Sequence, residues 1–400
     1  MDLDTSRTPV GIDLAKDSFA ATVSDGDGEV VRAFPLSREG LADLIRFLEP
    51  YGPFPDAFVF GLEASGPYTE PLLSWLLQRN ARVFQLNPLL ISRFRRAQSL
   101  RRTKTDAIDA RTILHFIGQL PPSVQPCEPG DDLQALAAEY EQITQQVARL
   151  KTQIRQQVHA LFPELAGSST LFSQRILRLL LAFPSAHAIA RATPAQLEAA
   201  CKDLPSGRRS RITAQYLYNS ACASIGCSTP QREAVLQSKI RQLQHLLQES
   251  CTMRNALIQA VRAAHPTPWR LLLSIPGLGP ITTALFLAQI RSLSRFPSHR
   301  QLSAFIGIDP TTYESGQFKA QGHISKRGSP HLRRTLYLMA QSVARYSVTF
   351  RLYMDQLRAR GKAYRVAVIA CANKLLRVVM ALLRSLTPFT DSSLQEVSHS

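Results

Sequence analysis

The apolar pattern of the chain changes period once, across a stretch that carries Pro121, Pro122, Pro126 and Pro129. Before it, short apolar runs alternate with helix-length ones. After it, apolar residues recur at steps of three and four, the spacing of a helix face. One layer of structure does not accommodate both patterns, so the chain divides into an α/β part and a helical part. At ~100–200 residues per domain, its length leaves room for roughly two to four units.

Residues 10–23 and 29–34 read as two strands joined by a turn at 24–28. Residues 41–48 read as a helix, 57–62 as a buried strand, 68–78 as a helix, 81–85 as a strand, and 88–98 and 105–117 as helices. This order predicts a mixed sheet covered by helices over residues 1–118. Residues 119–130 are then a linker, and 131–265 a helical region. Residues 266–390 form a mostly helical C-terminal domain with a polar, glycine-containing insertion at 309–330, and 391–400 a tail.

Within the helical region, Leu133, Leu136, Tyr140, Ile143, Val147, Leu150, Ile154, Val158 and Leu161 mark one heptad seam. Leu236, Ile240, Leu243, Leu247, Cys251, Leu257 and Val261 mark a second. The two are expected to pair as an antiparallel coiled coil or to form a dimer arm, with a plain helical bundle as the bland alternative. Residues 171–225 between them are helical in outline only.

Charge narrows the partner. Lys and Arg number 47 against 30 Asp and Glu, a net +17, which points to a polyanion, either nucleic acid or a membrane surface. A 45% apolar content excludes a wholly disordered chain. Cys127, Cys201, Cys222, Cys227, Cys251 and Cys371 form no Cys-x-x-Cys pair and no zinc-ligand spacing with histidine, so they read as reduced thiols. The uncharged run 271–290 has the length of a membrane span, but Pro276, Gly277, Gly279 and Pro280 interrupt it. It reads as two short elements around a tight loop, with no membrane partner. Asp2 and Asp4 stand where a signal peptide would be apolar.

Four carboxylates carry the chemistry. Asp13 lies inside the apolar run Gly11-Ile12-Asp13-Leu14-Ala15, where a charge is costly unless paired. Glu63 ends the apolar run at 57–62, and Asp106 and Asp109 share a helix face at i and i+3. Alone, each has an ordinary explanation as a cap, a salt-bridge partner or a solvated face. Together they suit Mg²⁺ or Mn²⁺ held through oxygen ligands. Two such ions about 3.5–4 Å apart suit phosphodiester cleavage by in-line attack. A rival reading, an actin-like or sugar-kinase ATPase, shares the opening Gly-Ile-Asp-x-Ala but needs glycine-rich phosphate loops; in residues 1–120 only Ser24-Asp25-Gly26-Asp27-Gly28 comes close, and its two acids would repel a phosphate.

Three basic features fit a nucleic-acid partner. Arg93, Arg95, Arg96, Arg101, Arg102 and Lys104 precede Asp106 with no acid between them, as a phosphate-contacting run would. Gly277-Leu278-Gly279 sits in a segment resembling a helix-hairpin-helix, whose exposed N–H groups hold a DNA phosphate; a tight turn in a helical domain is the equal alternative. The third is a loop with Tyr313-Glu314-Ser315-Gly316, then Ser325-Lys326-Arg327-Gly328, and no acid from Ser315 through Met354. Lys319, Lys326, Arg327, Arg333 and Arg334 can neutralise a phosphate beside Ser315, and a serine attacking a phosphodiester needs that neutralisation. On its chemistry alone the loop reads as a DNA contact in which Ser315 donates a hydrogen bond.

With these motifs together, the chain resembles the insertion-sequence 110/1111 family of transposases, related to the pilin-gene-inverting recombinases, across nearly its whole length. The matching residues are Gly11-Ile12-Asp13-Leu14-Ala15-Lys16, Glu63-Ala64-Ser65-Gly66, Lys104 through Ala110, Pro276-Gly277-Leu278-Gly279, and Ser315-Gly316 through Gly328. The resemblance implies an α/β RNase H-like (RuvC-like) N-terminal domain, a helical coiled-coil arm and a mostly α C-terminal transposase domain. It implies a DEDD tetrad at Asp13, Glu63, Asp106 and Asp109 holding Mg²⁺ or Mn²⁺, and a catalytic serine at Ser315, with Ser325 the weaker candidate. It further implies DNA partners (the element's ends or circular junction, and a target), a structured guide non-coding RNA and a homo-oligomer, dimer or tetramer, working at the nucleoid in a bacterial cytoplasm. Two other functions remain open on the residues: a RuvC-type junction nuclease using water, and a non-catalytic DNA- or RNA-binding protein.

Overall fold

In a computed structural model of the chain, the described residues are 7–24, 28–64, 68–98, 105–120, 126–127, 133–201, 213–290, 296–310, 314–315, 318–319 and 323–391. Of Asp106, Glu314, Ser315, Phe318 and Lys319 the backbone alone is described. The chain divides into two compact units, Met1–Asp131 with Ser292–Pro297, and Asp132–Arg291 with Ser298–Ser400.

The run 10–23, expected as one strand, is two: β1 (Thr8–Leu14) and β2 (Ser18–Ser24), antiparallel with Asp13 opposite Ala20. Its exposed Ala15-Lys16-Asp17 turns the chain, and Ala15 N donates to Ser18 O at 2.9 Å. Apolar residues on both flanks hid that turn, although a single strand of that length would far exceed the usual ~5–6 residues. The rest of the order follows expectation, with β3 (Glu29–Pro35), α1 (Arg38–Leu48), β4 (Phe58–Glu63), α2 (Thr69–Leu77), β5 (Arg82–Leu86), α3 (Pro88–Gln98) and α4 (Asp106–Ile117).

The five strands form one mixed sheet in the order β3-β2-β1-β4-β5, in which β2 alone runs opposite to the other four. Alternation divides each strand between the two faces. Val10, Ile12, Phe58, Phe60 and Leu62 join Leu44, Leu48, Leu72 and Leu76 in the core under α1 and α2. Val59, Phe84 and Leu86 pack against Ile91, Ile113 and Ile117 of α3 and α4 on the other face. Gly11 and Asp13, alternating with Ile12, belong to that second face, as do Gly61 and Glu63.

Among its described residues, the second unit is helical apart from a two-stranded ribbon and an isolated bridge between Pro310 and Ile324. Its longest elements are α5 (Leu133–Leu161) and α11 (Pro230–Ala264), which lie antiparallel: Lys239 Nζ donates to Gln153 Oε1 at 2.7 Å, and Cys227 N to Ala160 O at 2.9 Å. Between them run α6 (Pro163–Ala166), α7 (Gln174–Ala182), α8 (Ala186–Arg191), α9 (Pro194–Cys201) and α10 (Ala214–Cys222). Leu179, Leu180, Ile189 and Leu217 from this group share one core with Leu150, Ile154, Val158, Leu236, Ile240 and Leu243.

Both seams depart from strict heptads. On α5, Ala137 and Glu141 are buried while Leu136 and Tyr140 are half-buried, and on α11, Leu247 and Cys251 are exposed. The reason is a change of partner, because the first half of α5 also packs against α13 (Pro280–Ile290).

The C-terminal part comprises α12 (Pro266–Leu273), α13, α14 (His299–Ile306), the ribbon β6 (Glu314–Ser315) and β7 (Phe318–Lys319), α15 (Pro330–Tyr346), α16 (Val348–Ala359) and α17 (Tyr364–Ser385). The run 271–290 is thus interrupted as its prolines and glycines require. The helix α17 is long and apolar enough to cross a membrane, but half of its apolar stretch is buried inside the helical unit.

Candidate active site

Two glycines bring α4 onto the sheet. A Cβ on Gly11 would stand 2.2 Å from the Ala110 carbonyl oxygen and 2.5 Å from Leu114 N. One on Gly61 would stand 2.2 Å from Ile117 Cδ1. Gly11 and Gly61 face each other across the parallel pair β1–β4. The helix therefore crosses both strands where neither has a side chain, and its backbone touches the sheet.

That crossing gathers the acids. The register Ile12↔Leu62 runs on to Asp13 and Glu63 at the C-terminal ends of adjacent parallel strands, both on the face that α4 covers. Both are half-buried. Asp109 immediately precedes Ala110, whose carbonyl lies over Gly11. Thr105 caps α4 by accepting from Ile108 N at 3.3 Å, which sets Asp106 as the first helical residue. Strand ends and one helix start thus bring Asp13, Glu63 and Asp109, with the backbone of Asp106, to one edge of one face. Among the described residues, no three carboxylate, imidazole or thiol groups are clustered closely enough to hold a metal ion as they stand.

The Asp109 carboxylate, 8% exposed, accepts from Arg95 Nη1 at 2.6 Å. Within the basic run, Arg95 thus directs one of its donors onto an acid of the cluster. Arg93 and Arg96 on the same helix are exposed, while Arg101, Arg102 and Lys104 lie outside the described residues. Sequence spacing did not reveal the pair, since Arg95 has the same charged neighbours as Arg93 and Arg96. Glu29 on β3 ties down the outer end of α4, pairing with Arg111 Nε at 3.4 Å and lying 2.6 Å from His115 Nε2.

Ser315 lies on the ribbon of the second unit, paired with Phe318, and Lys319 is opposite Glu314. The arm that follows is fastened by Ser325, whose hydroxyl donates to Asp309 Oδ1 and whose N–H donates to Asp309 O at 2.9 Å. Lys326, Arg327 and Arg334 are exposed. Arg333 Nη1 donates to Ile306 O at 3.1 Å and Gly328 O at 3.2 Å, so it fastens the loop to α14.

The glycine hairpin also divides. Gly277 adopts a left-handed φ of +98°, and a Cβ there would meet Ser342 O at 2.7 Å, while Ser342 Oγ donates back to Gly277 O at 2.6 Å. Glycine at 277 is thus required by packing on α15. Gly279 has open space around it.

Two family models match this chain. One, described as "Transposase" and named for the DEDD transposases of IS110, covers residues 10–163; the other, "Transposase IS116/IS110/IS902 family", covers residues 269–355. The pilin gene-inverting protein of Moraxella lacunata is 23% identical over 388 residues, which is 96% of this chain and 98% of the relative. The insertion element IS110 protein of Streptomyces coelicolor is 33% identical over 129 residues, and the IS1111A transposase of Coxiella burnetii is 36% identical over 114. These last two alignments span 32% and 31% of the relatives' own lengths.

Proposed function

The chain belongs to the IS116/IS110/IS902 family of transposases, and from that premise we propose that it cuts and rejoins DNA as the recombinase of a mobile element. The observation that carries this reading is the crossing of α4 over Gly11 and Gly61, because it brings acids from separate parts of the sequence to one sheet edge. In this reading residues 1–118 are a RuvC-like domain, supported by the strand order and the single antiparallel strand. Residues 131–265 supply a coiled-coil arm, supported by the antiparallel α5 and α11. Residues 266–390 carry the serine.

Asp13, Glu63, Asp106 and Asp109 would hold Mg²⁺ or Mn²⁺. Their oxygens are the hard donors that such an ion takes, and holding it would require Asp13, Glu63 and Asp109 to draw together, with Asp109 exchanging the Arg95 guanidinium at 2.6 Å for the ion. The bound ion supplies charge neutralisation at the scissile phosphate. The Ser315 hydroxyl attacks phosphorus and loses its proton. A serine–phosphate ester forms as the bond to the leaving deoxyribose oxygen breaks, and that oxygen takes up a proton. Exposed Lys326, Arg327 and Arg334 balance the phosphate charge. Ser325, occupied with Asp309, is the structural serine of the loop.

The same reading includes a guide RNA made by the element, assembly of at least two copies through the arm, and work on DNA at the bacterial nucleoid. The net charge of +17 supports a polyanionic partner.

The test is a trapping assay with the element's junction DNA and a structured non-coding RNA from its flank. The expected product is a covalent protein–DNA adduct that disappears in Ser315→Ala and in Asp13→Ala. Nicked DNA without an adduct would replace this mechanism with a RuvC-type nuclease using water. Binding without either product would leave a non-catalytic protein.

A further inference from the structure

The helical unit carries a group of cations that the proposed chemistry does not use. Residues 142–197 hold Arg149, Lys151, Arg155, Arg175, Arg178 and Arg191 against a single carboxylate, Glu164. That carboxylate is engaged elsewhere, its Oε2 accepting from Ser224 Oγ at 2.6 Å. All of these residues belong to the second unit.

Two of the cations share one aromatic ring. Lys151 Nζ stands 5.5 Å from the centroid of Phe172, and Arg155 Cζ stands 5.4 Å from it. The ring is half-buried against the core between α5 and α11. On α5, Lys151 and Arg155 are at i and i+4, a spacing at which like charges repel. Phe172 immediately precedes Ser173, the cap of α7, and Arg175 and Arg178 follow at i and i+3 on that helix, Arg178 exposed. The opposite flank of α5 is the one that meets α11, through Gln153 and Lys239.

Among the described residues, no carboxylate pairs with Lys151, Arg155, Arg175 or Arg178, and no acceptor takes a hydrogen bond from them. A contact over a ring face is an attraction to charge and does not use up the N–H donors. The protein therefore gathers positive charge on this flank and supplies no counter-anion for it.

The surroundings select the class of partner. No large apolar side chain is exposed among the described residues of 142–197. A lipid surface or a protein interface would need such an anchor, whereas a phosphate backbone needs only the cations. The helical rise of ~1.5 Å per residue sets Lys151 and Arg155 about 6 Å apart along α5, close to two nucleotide steps of one strand at ~3.4 Å each.

We propose that Lys151 and Arg155 of α5, held together by Phe172, form with Arg175 and Arg178 of α7 a sequence-independent contact for the phosphate backbone of a nucleic acid. The inference rests on the transposase reading for the nucleic-acid partner. It adds a holding surface on the arm, made of residues that neither the acidic cluster nor the serine loop uses.

The probes are a duplex DNA of arbitrary sequence, a hairpin RNA and phosphatidylserine vesicles, titrated with the full chain over a range of KCl concentrations. Lys151→Gln/Arg155→Gln removes two phosphate contacts. It should lower the slope of log K against log[salt] by about 1.8 and weaken binding about sixtyfold at ~0.1 M salt, whatever the sequence. The change should appear on the DNA or on the RNA, according to which of them the arm holds. Arg241→Gln/Arg254→Gln, at exposed positions of α11, removes the same charge and should leave the slope nearly unchanged. Phe172→Leu keeps every charge and should weaken binding about threefold at an unchanged slope; unaltered binding would overturn the ring's part. A slope unchanged in the Lys151/Arg155 variant, an equal fall in the α11 variant, or a loss confined to the vesicles overturns the arm contact. The recombinase reading would survive each of these, because the Ser315 adduct tests it separately. Failure of the wild type to bind either nucleic acid overturns both.

Discussion

Arg95 Nη1 stands 2.6 Å from Asp109 Oδ1, so a protein cation occupies an acid that the family resemblance assigns to a metal. The two cations compete for one carboxylate. Removing the guanidinium should destabilise the metal-free protein by about 1–3 kcal/mol, below the ~3–5 for a fully buried pair because Arg95 is 31% exposed. The same change should strengthen metal binding. Thermal melts of Arg95→Gln with and without MgCl₂ check this: the Mg²⁺-induced rise in Tm should exceed that of the wild type. An equal rise would mean that Arg95 does not compete with the ion.

The glycines under α4 should differ in tolerance. At Gly11 the obstacle to a Cβ is backbone, the Ala110 carbonyl at 2.2 Å, whereas at Gly61 it is the end of the Ile117 side chain. A side chain can rotate away, but a helix backbone must move as a whole. Gly11→Ala should therefore cost more stability than Gly61→Ala, by at least ~1–2 kcal/mol, and should abolish DNA cleavage by lifting Asp109 off the sheet. Denaturant melts of the two variants read the difference. Equal losses would mean that the contact at Ala110 is not the one that locks the helix.

Much of this arrangement was legible in the sequence, for local reasons. Pro88 begins α3 and the Thr105 cap begins α4, so both helices lie where their signals put them. The alternation of Val10, Gly11, Ile12 and Asp13 already divides the strand between two faces. What was not legible depends on tertiary partners. Arg95 differs from Arg93 and Arg96 only in facing α4. Glu141 is buried only because α5 leaves its heptad register to meet α13, and no heptad count reveals that. The turn at Ala15-Lys16-Asp17 was obscured by apolar strand residues on both sides.

Asp391 should make the C-terminal helices sensitive to acid. Burial pushes its carboxyl pKa up, but hydrogen bonds from the Thr349 hydroxyl and N–H, the Ser347 hydroxyl and Val348 N outweigh it and hold the group below the ordinary carboxylate range. A depressed folded pKa contributes stability above the unfolded value of about 3.9, and that contribution is lost as the pH falls through the folded one. The stability difference between wild type and Asp391→Asn, about 1–2 kcal/mol for a lost helix cap, should be constant from neutral pH down to about pH 5 and shrink below about pH 4. Urea melts across that range measure it; a difference constant down to pH 2 would remove the carboxylate from the account.

Ser315 and Ser325 should separate by readout. The Ser325 hydroxyl and N–H both bind Asp309, closing the loop that begins after α14. Ser325→Ala removes one of these two bonds, for a loss of about 0.5–1.5 kcal/mol, and keeps the backbone one. It should slow recombination several-fold while still giving the covalent adduct, because the attacking oxygen is retained. Ser315→Ala removes that oxygen and should abolish the adduct with little change in Tm. Ser315→Cys restores a nucleophile and should return a detectable adduct. Trapping gels on the three variants, each with its melting curve, distinguish the roles. An adduct from Ser315→Ala that vanishes in Ser325→Ala would transfer the attack to Ser325 and make the Asp309 contact part of the chemistry.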